Sequence, residues 1–127
     1  MLKRSAKEMV AAANAAVETL TPESALPLVG DPDVVFVDVR ETIERQKTGG
    51  IAGSVHAPRG LLEFHADPQS AMHLPALASG KRLVLYCAAG GRSALAAKTL
   101  QEMGIEKVSH IAGGFTAWQA SGGPIER

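Results

Sequence analysis

The chain has a single cysteine, Cys87, among 127 residues. An intramolecular disulfide is therefore excluded, and with it the class of small secreted domains stapled by disulfides; a reduced compartment is the default. A surplus of charge of one sign is also missing. Lys and Arg number 13 and Asp and Glu 13, with no basic block of five, so no nucleic-acid or polyanion surface is expected. No apolar stretch approaches the roughly 20 residues of a membrane-spanning helix. The N-terminal MLKR is basic, but Lys7, Glu8 and Asn14 interrupt what would have to be the apolar centre of a signal peptide. A cytoplasmic location is expected. Gly-x-Gly-x-x-Gly and Gly-Lys-Ser/Thr loops are absent, leaving nucleotide binding without support. His56, His65, His73 and His110 are too widely spaced for a compact ligand motif, so neither a metal nor a cofactor is expected.

What remains is the composition of one globular domain, 46% apolar and 20% charged. Residues 5–18 are rich in helix formers, with Met9, Ala12, Ala13, Ala16 and Val17 at helical spacing. Thr21, Pro22 and Glu23 read as the cap and first turn of a second helix, stopped by Gly30 and Asp31-Pro32. VVFVDV (34–39) and RLVLYC (82–87) are nearly continuous apolar runs, as in strands covered on both faces. KVSHI (107–111) and SVHA (54–57) are shorter candidates. Helical patterns at 41–48, within 60–79, at 92–103 and at 114–121 separate them. This alternation predicts an α/β domain with a mainly parallel sheet. A single tryptophan, Trp118, is expected in the core beneath the last helix.

The stretch YCAAGGRSALAAK (86–98) gathers the chemistry. Cys87 falls at the C-terminal end of a predicted central strand, the edge where open α/β sheets bind ligands. Ala88, Ala89, Gly90 and Gly91 follow, small residues that let backbone N–H groups converge on an anion. Arg92 and Ser93 then open a helix with an apolar stripe of Ala96, Leu100 and Met103, closed by Gly104. A helix N-terminus and a nearby arginine stabilise a thiolate. The competing reading is a buried, inert cysteine.

CAAGGRS resembles the active-site loop of the rhodanese family, in which a cysteine takes up sulfur as a persulfide and passes it on. FVDVRE (36–41), GGIAGSVHAPRG (49–60) and GGFTAWQASGGPIE (113–126) resemble further motifs of the family, in the same order. Gly50, Ala52 and His56 depart from it, standing where the family usually has histidine, proline and asparagine. The resemblance implies a rhodanese-like α/β fold, a central five-stranded sheet flanked by helices on both faces, over residues 19–127. Residues 1–18 would form an N-terminal helical extension that packs on the domain, pairs two subunits or only lengthens it.

The spacing Cys-x4-Arg bears on the reaction. Cysteine-dependent phosphatases, including rhodanese-folded ones, use Cys-x5-Arg; one residue fewer makes a tighter ring, suited to one sulfur rather than to a phosphoryl group. A phosphatase also needs an acid for its leaving group, and Glu63 and Asp67 are the nominees. The expected activity is transfer of a sulfane sulfur through a Cys87 persulfide. The donor would be anionic, such as thiosulfate, and the acceptor thiophilic: cyanide, a small thiol or a protein. With no second cysteine the acceptor must come from outside the chain. Arg92, the 88–93 loop and, at the rim, Arg59 would bind the anion, while Asp38 and Arg40 would brace the loop by ion pairing near the surface. The alternatives are a non-catalytic persulfide- or anion-sensing module and, behind it, a phosphatase or arsenate reductase.

Overall fold

The computed structural model describes residues 1–127. Helix α1 (Ala6–Ala16) starts where the Ser5 hydroxyl accepts from the Glu8 N–H at 3.1 Å and Glu8 accepts from the Ser5 N–H at 3.0 Å. This reciprocal cap satisfies two donors that a helix start otherwise leaves open. β1 (Glu18–Leu20) follows, a strand that begins inside the stretch read as helix. Three residues without an apolar run carry no periodicity, so nothing in ETL announced it. α2 (Pro22–Ala25) is capped by Thr21 with Pro22 in its first turn, as those residue types predict.

The remaining elements are β2 (Val34–Asp38), α3 (Thr42–Thr48), β3 (Gly50–Ile51), β4 (Val55–His56), α4 (Leu62–Ala66), β5 (Arg82–Tyr86), α5 (Gly91–Glu102), β6 (Val108–Ile111), α6 (Gly114–Ala120) and β7 (Ile125–Glu126). Five strands form one sheet in the order β1-β6-β5-β2-β4, and every neighbouring pair is parallel. This is the expected five-stranded sheet with helices on both faces. β3 and β7 form a separate antiparallel pair that ties the GGIAG stretch to the C-terminal segment.

The pleat of β5 sorts the core into two layers. Leu83, Leu85 and Cys87 pack with Ala96, Ala97 and Leu100 of α5 and Leu62 of α4. Val84 and Tyr86 pack on the opposite face with Ala25, Phe36, Phe115 and Trp118. Trp118 is fully buried, its ring centroid 6.0 Å from that of Phe36 and its indole N–H donating to the Pro124 carbonyl at 3.1 Å. Met103, expected in the apolar stripe of α5, is instead 43% exposed, because the helix ends at Glu102 and the buried stripe ends with Leu100. α1 lies against α5, where the Gln101 amide donates to the Ala16 carbonyl at 3.0 Å and Ala13 and Val17 are buried.

Candidate active site

β5 is the middle strand, and Cys87 follows it directly. The Cys87 carbonyl accepts from the Phe115 N–H at 2.7 Å and the Ala88 carbonyl from the Thr116 N–H at 3.1 Å, which fixes the strand end against α6. That approach requires glycine at 114. Its φ is +58°, and a Cβ there would collide with the Cys87 carbonyl.

The loop then turns back over the sulfur. Gly90 takes φ +106° as the N-cap of α5, and its N–H donates to Cys87 Sγ at 3.1 Å. The Ser93 N–H donates to the same sulfur at 3.4 Å, and the thiol reaches Ser93 Oγ at 3.5 Å. Of the six residues expected to form the cradle, Gly90 and Ser93 touch the sulfur. Ala88, Ala89 and Gly91 supply the turn, with Ala89 exposed at its tip. Cys87 itself is 1% exposed.

Arg92 does not reach the sulfur by hydrogen bond. Both ends of its guanidinium donate to Glu44 of α3, at 2.7 and 2.9 Å. Those hydrogen bonds hold the Glu44 carboxyl down at about 2 and push the guanidinium of Arg92 up. Glu44 also accepts from the Glu41 N–H at 2.9 Å, so one carboxylate joins the start of α3 to the start of α5.

Asp38 and Arg40 pair as expected but not near the surface: they are 0% and 2% exposed. Arg40 Nε and Nη2 donate to Asp38 at 3.0 and 2.8 Å, Nη1 to Thr48 Oγ1 at 2.8 Å and Nη2 to the Gly49 carbonyl at 2.6 Å. Burial alone would raise the Asp38 carboxyl, but donors from Arg40 and Arg45 outweigh it and hold the group below the usual carboxylate range. Arg45 was not anticipated. Its Nη1 meets Asp38 and Ser54 Oγ at 3.0 Å each, and it lies where a Cβ on Gly50 would fall. His56 bonds the Arg40 carbonyl through Nε2 at 2.7 Å.

Arg59, expected at the rim to bind the anion, donates to Glu63 at 3.0 Å and to Thr99 Oγ1 at 3.2 Å, bridging α4 and α5. Glu63 is thereby engaged, and Asp67 accepts from the Gln69 N–H at 2.8 Å. His110, read as one scattered histidine among four, lies one residue from the sulfur: its Nδ1 is 2.9 Å from Ser93 Oγ.

A cysteine at the end of the middle strand of a parallel sheet, with loop amides trained on its sulfur, defines a thiol-bearing α/β domain with its site at a sheet edge. The chain belongs to the family described as the rhodanese-like domain, which matches residues 21–121. A structure from Rhodopseudomonas palustris, described as a protein of unknown function and possible tyrosine phosphatase, superposes with a TM-score of 0.95 at 49% identity, covering 99% of this chain and 97% of that one. The polysulfide-sulfur transferase of Wolinella succinogenes, a homodimer, superposes with a TM-score of 0.72 at 32% identity, covering 94% of this chain and 85% of its own. Thiosulfate sulfurtransferase GlpE of Glaesserella parasuis is 29% identical over 84% of this chain and 91% of its own. Other curated relatives are longer: the chain spans 54%, 61% and 30% of three of them. No helix is long and apolar enough to cross a membrane.

Proposed function

We propose that this domain transfers a sulfane sulfur from an anionic donor such as thiosulfate to an external acceptor through Cys87. The thiolate attacks the outer sulfur of the donor. The S–S bond of thiosulfate breaks, sulfite leaves with the electron pair, and the outer sulfur stays on Cys87 as a persulfide anion. An acceptor nucleophile (cyanide, a small thiol or a protein thiol) then attacks that outer sulfur, and Cys87 departs as thiolate. The observation that carries the reading is the pair of N–H donors, from Gly90 and Ser93, already aimed at Sγ at 3.1 and 3.4 Å. Donors fixed in place stabilise charge on sulfur without reorganising. The chain holds one cysteine, so release as an internal disulfide is unavailable to it.

A phosphatase reading is favoured by the description of the Rhodopseudomonas palustris protein. Against it stands the Cys87-x4-Arg92 spacing, one residue tighter than the Cys-x5-Arg loop that surrounds a phosphoryl group. Intact-mass measurement after incubation with thiosulfate is the test. The expected result is a gain of one sulfur atom that is absent in Cys87→Ser and is discharged by cyanide. No adduct and no transfer to cyanide would sink the enzyme reading in favour of a sensing or binding module. Cys87-dependent hydrolysis of an aryl phosphate would promote the phosphatase.

A further inference from the structure

A chain of polar groups runs from the thiol to the protein surface. Cys87 Sγ is 3.5 Å from Ser93 Oγ, Ser93 Oγ is 2.9 Å from His110 Nδ1, and His110 Nε2 is 2.7 Å from Asn14 Oδ1 of α1. Ser93 and His110 are 0% and 2% exposed. Burying a hydroxyl and an imidazole is costly unless both are paired, and here each is paired to the other.

The chemistry of the ends fixes the direction of the chain. An amide oxygen only accepts, so the imidazole carries its hydrogen on Nε2 and leaves Nδ1 with a free lone pair. The Ser93 hydroxyl donates to Nδ1 and keeps lone pairs for the thiol hydrogen. Its other nearby acceptor, the Gly90 carbonyl, is farther off at 3.3 Å. Thr19 Oγ1 of β1 stands 3.3 Å from Nε2. Asn14, Thr19 and His110 line, with the 89–91 loop, a cavity of about 350 Å³ beside α1.

We propose that His110 is a positioning residue that accepts the Cys87 proton through the Ser93 hydroxyl, with Asn14 holding the imidazole in the accepting tautomer. The S–H bond breaks and its proton passes to Ser93 Oγ as the hydroxyl's own proton passes to Nδ1. The products are a thiolate, held by the Gly90 and Ser93 N–H groups, and an imidazolium. No further reactant is required. Burial pushes the His110 imidazole down from its ordinary value, which keeps it neutral before the transfer and makes the imidazolium depend on the thiolate formed beside it. None of the residues lining the cavity is charged. Of the charged groups on the elements packed against the chain, Glu18 of β1 pairs with Arg82 of β5, Arg92 of α5 with Glu44, and Glu8 of α1 accepts from the Ser5 N–H, while Lys7 of α1 has no ion-pair partner.

The inference rests on Cys87 being the reacting thiol, but its readout needs no sulfur donor. The experiment is the rate of Cys87 alkylation by iodoacetamide as a function of pH. In His110→Asn the rate near neutral pH falls about tenfold and the profile moves to higher pH by roughly one unit. Ser93→Ala matches that shift, the double variant reacts no more slowly than either single one, and Asn14→Ala moves in the same direction by less. An unmoved profile in His110→Asn, or losses that simply add in the double variant, overturns the proposal. Should those variants fail to fold, nitrogen NMR of His110 in the wild-type protein decides it. The Nδ1 signal responds to pH differently once Cys87 is alkylated, and an identical response in the two forms overturns it. Failure of sulfur uptake with the alkylation shift intact removes the proposed function and leaves the relay standing.

Discussion

Tyr86 and Cys87 are adjacent in sequence and project to opposite faces of the sheet, into surroundings made on different rules. Around Tyr86 the polar groups are tied and the ring is stacked. Its hydroxyl accepts from the Ile51 N–H at 3.0 Å and bonds Ser54 Oγ at 2.9 Å, and its ring stacks on Phe115 at 6.0 Å. The Arg40 guanidinium lies 4.3 Å from the centre of the Phe115 ring while paired with buried Asp38. After Cys87 the loop residues are small, and the contacts to sulfur run from 3.1 to 3.5 Å. The contrast is between a face where hydrogen bonds and an ion pair tie distant segments together and one where a buried sulfur is met by the N–H donors of its own loop.

The largest expected effect breaks the Tyr86 side. Arg40→Ala leaves the Asp38 carboxylate buried with Arg45 as its remaining cation and costs about 3 kcal/mol, measured by urea denaturation. A loss below about 1 kcal/mol would mean that this face does not carry the stability assigned to it. Ser93→Ala probes the other face. It strands the buried Nδ1 of His110 and costs about 1–2 kcal/mol, with its main consequence in the alkylation rate. Equal destabilisation by the two variants would erase the contrast.

Glu44→Gln acts between the faces, at the mouth. Glu44 and Arg92 are 30% and 39% exposed in their side chains, so solvent screening limits the pair to about 1 kcal/mol. Its carboxyl is lowered from 4.5 to about 2. The stabilisation is therefore complete above pH 4.5 and is lost as pH falls toward 2. Stability curves of wild type and variant should converge over that interval, and a constant gap would contradict the assignment. The smallest effect is expected on the solvent side of α5: Lys98→Ala, which removes the exposed Lys98–Glu102 pair, should change stability by less than about 0.5 kcal/mol.

Features built from neighbours in sequence were readable in advance. The apolar runs of β2 and β5, the cap at Thr21, the Cys87 loop and the start of α5 each depend on residues a few positions apart. The Asp38–Arg40 pair was legible for the same reason, though its burial was not, since Phe115 and Tyr86 come from distant segments. What escaped the reading joins segments far apart along the chain. Arg92 meets Glu44 and His110 meets Asn14 only once the sheet is assembled. Arg45 carries no local sign that it will occupy the space beside Gly50. β1 acquires its strand conformation from β6, against which Glu18, Thr19 and Leu20 register with Ser109, His110 and Ile111.

The outermost strands of the sheet are β1 and β4, of three and two residues. A parallel sheet with long bare margins would offer its unpaired amides and carbonyls as a template for strands of other molecules. Margins this short present too few groups in line to seed such growth, so the apolar centre of this sheet is shielded from amyloid-like addition by the brevity of its borders.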